Sequence, residues 1–171
     1  MGWCAIHHRV AGGTALSSWL SANGETTHAT AIVVGETGIL FVGPSGAGKS
    51  SMAFTCLGAA VSRGWNAALV ADDRTCLTVH SCRCIASCPE PIRRKLELRG
   101  GGIAQLPHIS HAVMHLAVAP VPPSAESRLP PDNEIFTCDG VELPLQRLWR
   151  DGATDPLTAL CALWPDRFLS N

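Results

Sequence analysis

A chain of 171 residues, 46% hydrophobic and 16% charged, has apolar material for one buried core and too little charge for a disordered segment. Its net charge of −1 offers no broad basic surface to nucleic acid or an anionic membrane, and no apolar run approaches the ~20 residues of a spanning helix. No secretory leader is visible, so the expectation is a cytoplasmic enzyme whose eight cysteines are free thiols.

Residues 1–26, with Gly12-Gly13, Ser17-Ser18 and Asn23-Gly24, read as a loosely ordered lead-in, and 27–171 as a single domain. His28 to Val34 is apolar and β-branched and predicts a strand; Gly35 to Gly38 is a turn, and Ile39 to Val42 a second, buried strand, making a hairpin. A glycine-rich loop leads into a helix from Lys49 to Val61, with an apolar stripe of Met52, Ala53, Cys56, Leu57 and Ala60, ended by Arg63-Gly64. Ala67 to Ala71 is a short apolar strand that stops at Asp72-Asp73. Thr75 to Val79 and Arg83 to Ala86 predict a hairpin across His80-Ser81-Cys82.

Beyond Pro89 and Pro91, the run Leu96-Glu97-Leu98-Arg99 is followed by three glycines. Val113 to Val118 predicts a strand, Pro120 to Pro131 with five prolines a surface excursion, Ile135 to Leu143 a β segment across Asp139-Gly140, and Asp155 to Leu163 a closing helix. This order predicts an α/β fold with a mixed, mostly β sheet, not a doubly wound one.

Gly43-Pro44-Ser45-Gly46-Ala47-Gly48-Lys49-Ser50 matches G-x-x-x-x-G-K-[ST] in full, with a buried strand before it and an amphipathic helix after it. The glycines let backbone amides turn toward phosphate oxygens, Lys49 reaches the β/γ-phosphates, and the Ser50 hydroxyl is a Mg²⁺ ligand. Only Lys49 and Lys95 are lysines, which makes one inside this loop informative. Asp72 and Asp73, adjacent at a strand end, point different ways, so one can serve metal and the other a substrate hydroxyl. Taken alone, the Leu96–Arg99 run reads as an edge strand with a surface ion pair, and His28 as an ordinary strand residue. Cys76, His80, Cys82, Cys84 and Cys88 crowd together, yet their C-x-C and C-x3-C spacings lack the paired C-x2-C of common zinc sites. Cys82 and Cys84 also fit one face of a strand as small hydrophobes.

In this order, the loop, Val70-Ala71-Asp72-Asp73-Arg74 and Leu96-Glu97-Leu98-Arg99-Gly100-Gly101-Gly102-Ile103 form a signature that resembles the catalytic domain of HPr kinase/phosphorylase. The likeness continues through Arg128-Leu129-Pro130 to Gly140-Val141-Glu142-Leu143-Pro144, over roughly residues 27 to 150. It implies a fold like that of phosphoenolpyruvate carboxykinase and ATP- and Mg²⁺-dependent phosphorylation of a serine on HPr, the phosphocarrier of the bacterial phosphotransferase system. It places His28, fifteen residues before Gly43, in the active site. It makes Asp73 the first choice as base and Asp72 the second, adds Glu97 to Ser50 at the metal, and makes Arg128 a catalytic arginine. It also implies a homo-oligomer, since the family forms hexamers.

Three features depart from the family. There is no room for its separate N-terminal domain, which resembles the short form of some proteobacteria. The Gly58 to Ala68 segment is longer than usual. The proline-, arginine- and glycine-rich segment tied to phosphorolysis is replaced by Gln146 to Gly152, so the expectation is a kinase with weak or absent phosphorylase action. A same-fold kinase for a non-HPr substrate and a nucleotide sensor that transfers nothing are the alternatives. The sensor is disfavoured because Asp72, Asp73, Glu97 and Arg128 are all present.

Overall fold

The computed structural model describes residues 21–22, 26–88, 95–98, 102–124 and 131–168, and of residues 21, 22, 95, 97 and 98 only the backbone. Three layers are stacked: a small sheet, a large sheet and a helical layer. The large mixed sheet contains seven strands in the order β1 (Ser21–Ala22), β12 (Ile135–Cys138), β13 (Val141–Trp149), β11 (Leu116–Val121), β4 (Thr37–Phe41), β3 (Thr30–Val34), β5 (Ala67–Ala71). The small sheet runs β10 (His111–Val113), β7 (Arg83–Ser87), β6 (Thr75–His80), β2 (Thr26–Thr27). A separate antiparallel pair, β8 (Lys95–Leu98) and β9 (Gly102–Gln105), contains the Leu96-Glu97-Leu98 run. Helices α1 (Lys49–Ser62), α2 (Pro156–Leu163) and α3 (Pro165–Phe168) complete the chain. The α/β fold class and the mixed sheet are as expected.

The central strands are apolar on both sides because both faces of the large sheet are covered. Every residue of β4 is buried. Along it and its neighbours the side chains alternate: Ile32, Ile39, Phe41, Leu116 and Val118 face the helices with Met52, Cys56, Leu57, Leu157 and Leu160. Ala31, Leu40, Ala117 and Ala119 face the small sheet with Leu77, Cys84 and Ala86. The apolar stripe expected on α1 is the face it buries. Truncating Phe41 to alanine in this setting costs about 3–5 kcal/mol.

The sheet-facing side is lined by small residues, which lets the two sheets close on each other. At Gly38 a β-carbon would overlap the Val113 carbonyl, and the Gly38 amide instead donates to His115 Nδ1 at 2.9 Å.

Several expectations are corrected. Val113 to Val118 is not one strand: β10 ends at Val113 in the small sheet and β11 begins at Leu116 in the large one. Met114 and His115 make the crossing, their amides donating to the carbonyls of Cys84 and Gly38. The strand expected from His28 begins at Thr30, because His28 and Ala29 form the bend between β2 and β3. Cys82 is not on a strand face: with Ser81 it forms the two-residue turn of the β6–β7 hairpin, both with left-handed φ (50° and 58°). The final β segment does not stop at Leu143; β13 continues to Trp149, paired in parallel with β11.

Within the expected lead-in, Ser21–Ala22 and Thr26 are strand and the rest lies outside the described residues. Of the proline-rich excursion, residues 125–130 lie outside them, and Pro120 and Val121 are not surface loop but the end of β11. No helix among the described residues is long and apolar enough to cross a membrane.

Candidate active site

The phosphate loop begins where β4 ends. Val42 donates its amide to the Val118 carbonyl at 2.9 Å, so the chain leaves the sheet on a fixed line. It then turns through three left-handed glycines, Gly43 (φ +135°), Gly46 (+81°) and Gly48 (+97°), conformations that a side chain would strain. Gly48 is the N-cap of α1 with no side-chain cap bond, and the first turn holds no acidic residue. The first amides of the helix and its positive dipole end therefore face the loop.

Lys49 opens α1 and is buried, 7% exposed. Its ammonium donates to the carbonyls of Gly43 and Pro44, both at 2.9 Å, and so lies across the mouth of the loop. A buried ammonium requires such acceptors, and these sit where it can reach a bound phosphate.

The opposite wall is built by two chain crossings between the sheets. The chain passes from the small to the large sheet between β2 and β3, and from the large to the small sheet between β5 and β6. The two crossings lie side by side and are tied by side chains. The Thr75 hydroxyl donates to the Ala29 carbonyl at 2.7 Å, buried. The Thr30 hydroxyl donates to Asp72 Oδ1 at 2.7 Å, and Ser50 of the loop donates to that same oxygen at 2.7 Å.

Asp73, at φ +64°, turns the other way, while the Arg74 amide closes back on the Asp72 carbonyl at 2.7 Å. Its Oδ1 lies 3.0 Å from His28 Nδ1, which is also 2.9 Å from the Asp73 carbonyl. The adjacent aspartates thus have different partners: Asp72 faces the loop serine, Asp73 the histidine.

His28, Ser45, Gly46, Gly48, Lys49, Ser50, Asp72 and Asp73 line one cleft of about 280 Å³, with Ser51. Most of the expected site residues are therefore brought together. Glu97 lies on β8, its side chain outside what is described, and Arg128 lies outside the described residues. One contributor, Thr30, escapes sequence reasoning, and another, Arg150, is suggested with Arg147 as an anion donor by residue type but not placed by it. Thr30 is signalled only by being a hydroxyl in an apolar run. Arg150 is placed against the loop by the end of β13: a β-carbon on Gly48 would lie 3.7 Å from Arg150 Cβ. Arg147 is instead held by Glu134 through a bidentate pair at 2.6 and 2.7 Å.

The profile of the HPr serine kinase C-terminal domain family matches residues 20–112, more than half of the chain. This chain belongs to that family. Membership makes it a phosphotransferase of the HPr kinase type, and the matched stretch contains the phosphate loop and both aspartates. Among solved structures, the HPr(Ser) kinase/phosphatase from Coxiella burnetii superposes with a TM-score of 0.66 at 22% identity, covering 85% of this chain and 97% of that one. At that identity the likeness shows the shared HPr kinase domain fold. No curated protein matches the chain.

Proposed function

We propose that this protein is an ATP- and Mg²⁺-dependent protein serine kinase acting on an HPr-type phosphocarrier in the cytoplasm, with residues 27–171 as its catalytic domain. The observation that carries the reading is the division of labour in the cleft: a phosphate loop with its lysine on one wall, and on the other two adjacent carboxylates with separate partners.

The Ser50 hydroxyl and Asp72 carboxylate converge at 2.7 Å as hard oxygen donors, a set that suits Mg²⁺. They would hold the ion, with Glu97 as a third ligand, and when bound it neutralises charge on the polyphosphate. The loop amides and Lys49 orient the phosphates and draw charge from the transferred group. Asp73 is left to accept the proton of the attacking serine hydroxyl. His28 positions it through Nδ1, within hydrogen-bond reach. Arg128 would contact the transferred phosphoryl group from the segment after β11.

Attack by inorganic phosphate on phosphoserine needs further fixed donors beside the loop. Of the two arginines that could supply them, Arg147 is held by Glu134 and Arg150 alone is left beside the loop, which favours a kinase whose phosphorylase action is weak. A homo-oligomer is the assembly this reading favours.

The test is transfer of labelled γ-phosphate from Mg·ATP to purified HPr, with a Ser→Ala phosphocarrier as control. Label on wild-type HPr alone is the expected result. ATP binding with transfer to no serine of HPr would move the substrate elsewhere. In excess inorganic phosphate, serine-phosphorylated HPr should release little pyrophosphate; robust pyrophosphate formation would overturn the one-directional part of the reading.

A further inference from the structure

The charge in the cleft does not balance around a polyphosphate. Among its described lining residues Lys49 is the one permanent cation, set against Asp72 and Asp73. A second cation stands just beyond the rim. Phe41 at the end of β4 pairs with Val118 of β11, and Val118 pairs with Gln146 of β13. From that level β13 runs on to Trp149, so Arg150, one residue past the strand, stands at the sheet's end beside the phosphate loop.

Its backbone amide is fixed by the Val121 carbonyl at 2.9 Å. Its side chain lies along Gly48, where an added β-carbon would lie 3.7 Å from Arg150 Cβ and 3.9 Å from its Cδ. The guanidinium is engaged only loosely: Nε reaches Asp151 Oδ2 at 3.2 Å, with side chains 45% and 69% exposed. A neighbouring, exposed pair of this kind contributes little and exchanges readily. Arg147, held at 2.6 and 2.7 Å and largely covered, has no such freedom.

We infer that Arg150 is a polyphosphate-binding residue, its guanidinium leaving Asp151 to contact the phosphates held by the loop at Gly48. The inference rests on the reading of the loop as a nucleotide site and adds to it a second cation beside Lys49. An arginine is suited to the task because its planar fork meets two phosphate oxygens at once.

The experiment is calorimetric titration of ATP and of inorganic pyrophosphate into the wild-type chain, Arg150→Ala, Arg150→Lys and Asp151→Asn, with thermal melting of each. Arg150→Ala should bind both probes about 10- to 100-fold more weakly, the range of a charge-assisted hydrogen bond, with an unchanged melting temperature. Arg150→Lys should recover part of the loss, and Asp151→Asn, by freeing the guanidinium, should tighten pyrophosphate binding severalfold. Binding by Arg150→Ala within twofold of wild type overturns the inference while leaving the loop reading intact. If Arg150→Ala does not fold, Asp151→Asn decides, and unchanged pyrophosphate affinity there overturns the inference. A wild-type chain that binds neither probe overturns both.

Discussion

The two walls of the cleft are built on different principles. The loop wall is backbone: three left-handed glycines, a helix N-terminus and one buried lysine bonded to carbonyls five and six residues away. The crossing wall is made of side chains that meet across 42 to 46 residues of sequence, Thr30 with Asp72, His28 with Asp73, Thr75 with Ala29. The first wall is specified locally and forms wherever a strand feeds such a loop. The second exists only when two sheets are stacked closely enough for neighbouring crossings to touch, which is the role of the small residues between them.

The largest effect should come from the loop wall. Lys49→Ala is expected to lower phosphoryl transfer by about 10³-fold or more, with weak nucleotide binding persisting on the remaining amides. Near wild-type turnover in single-turnover assays would break the comparison at its stronger side.

On the crossing wall Asp73→Asn should lower turnover by about 10²- to 10⁴-fold while Mg·ATP affinity, read by calorimetry, stays close to wild type. Asp72→Asn should show the reverse emphasis, with Mg²⁺ dependence shifted to higher concentration. If the two variants exchange these phenotypes, Asp72 is the base and the roles of the pair are swapped.

The smallest effect is expected at Thr30→Val. It removes one of two hydroxyls on Asp72 Oδ1 and should cost about 1 kcal/mol of stability with a severalfold loss of turnover. A neutral result in both chemical denaturation and turnover would show that the loop serine alone sets Asp72.

The same contrast explains what the sequence discloses. The loop, α1 and its C-terminal Arg63-Gly64 are legible because motif, period and cap are short-range signals. The β3–β4 hairpin is legible too, though its turn is only Gly35-Glu36, with Gly35 at φ +57°, and Thr37 and Gly38 of the expected turn belong to β4. The partners of Asp72 and Asp73 are not, since no local pattern states that β2–β3 and β5–β6 cross side by side. The break at Met114-His115 is hidden for a related reason: Val113 to Val118 is apolar but for His115, and that pattern fits one sheet or two. Arg150 can be noticed as an arginine, but its place at Gly48 depends on the parallel register of β13 on β11.

The distribution of thiols turns the sheet stacking into something that can be timed. Cys84 and Cys138 are fully buried where the two sheets meet, and the hydrogen bond to Cys138 together with burial pushes the Cys84 thiol up. On the helical side, burial pushes Cys56 up to about 12. Cys82 is exposed at a hairpin tip. An alkylating reagent at neutral pH should therefore mark Cys82 at once and reach Cys84 and Cys138 only when the sheets separate. Pulsed labelling read by mass spectrometry would give the opening rate of the sandwich without a probe being added. Simultaneous labelling of Cys56, Cys84 and Cys138 would mean that the two cores open as one unit; earlier labelling of the sheet pair would mean that the wall carrying His28 and Asp73 comes apart first.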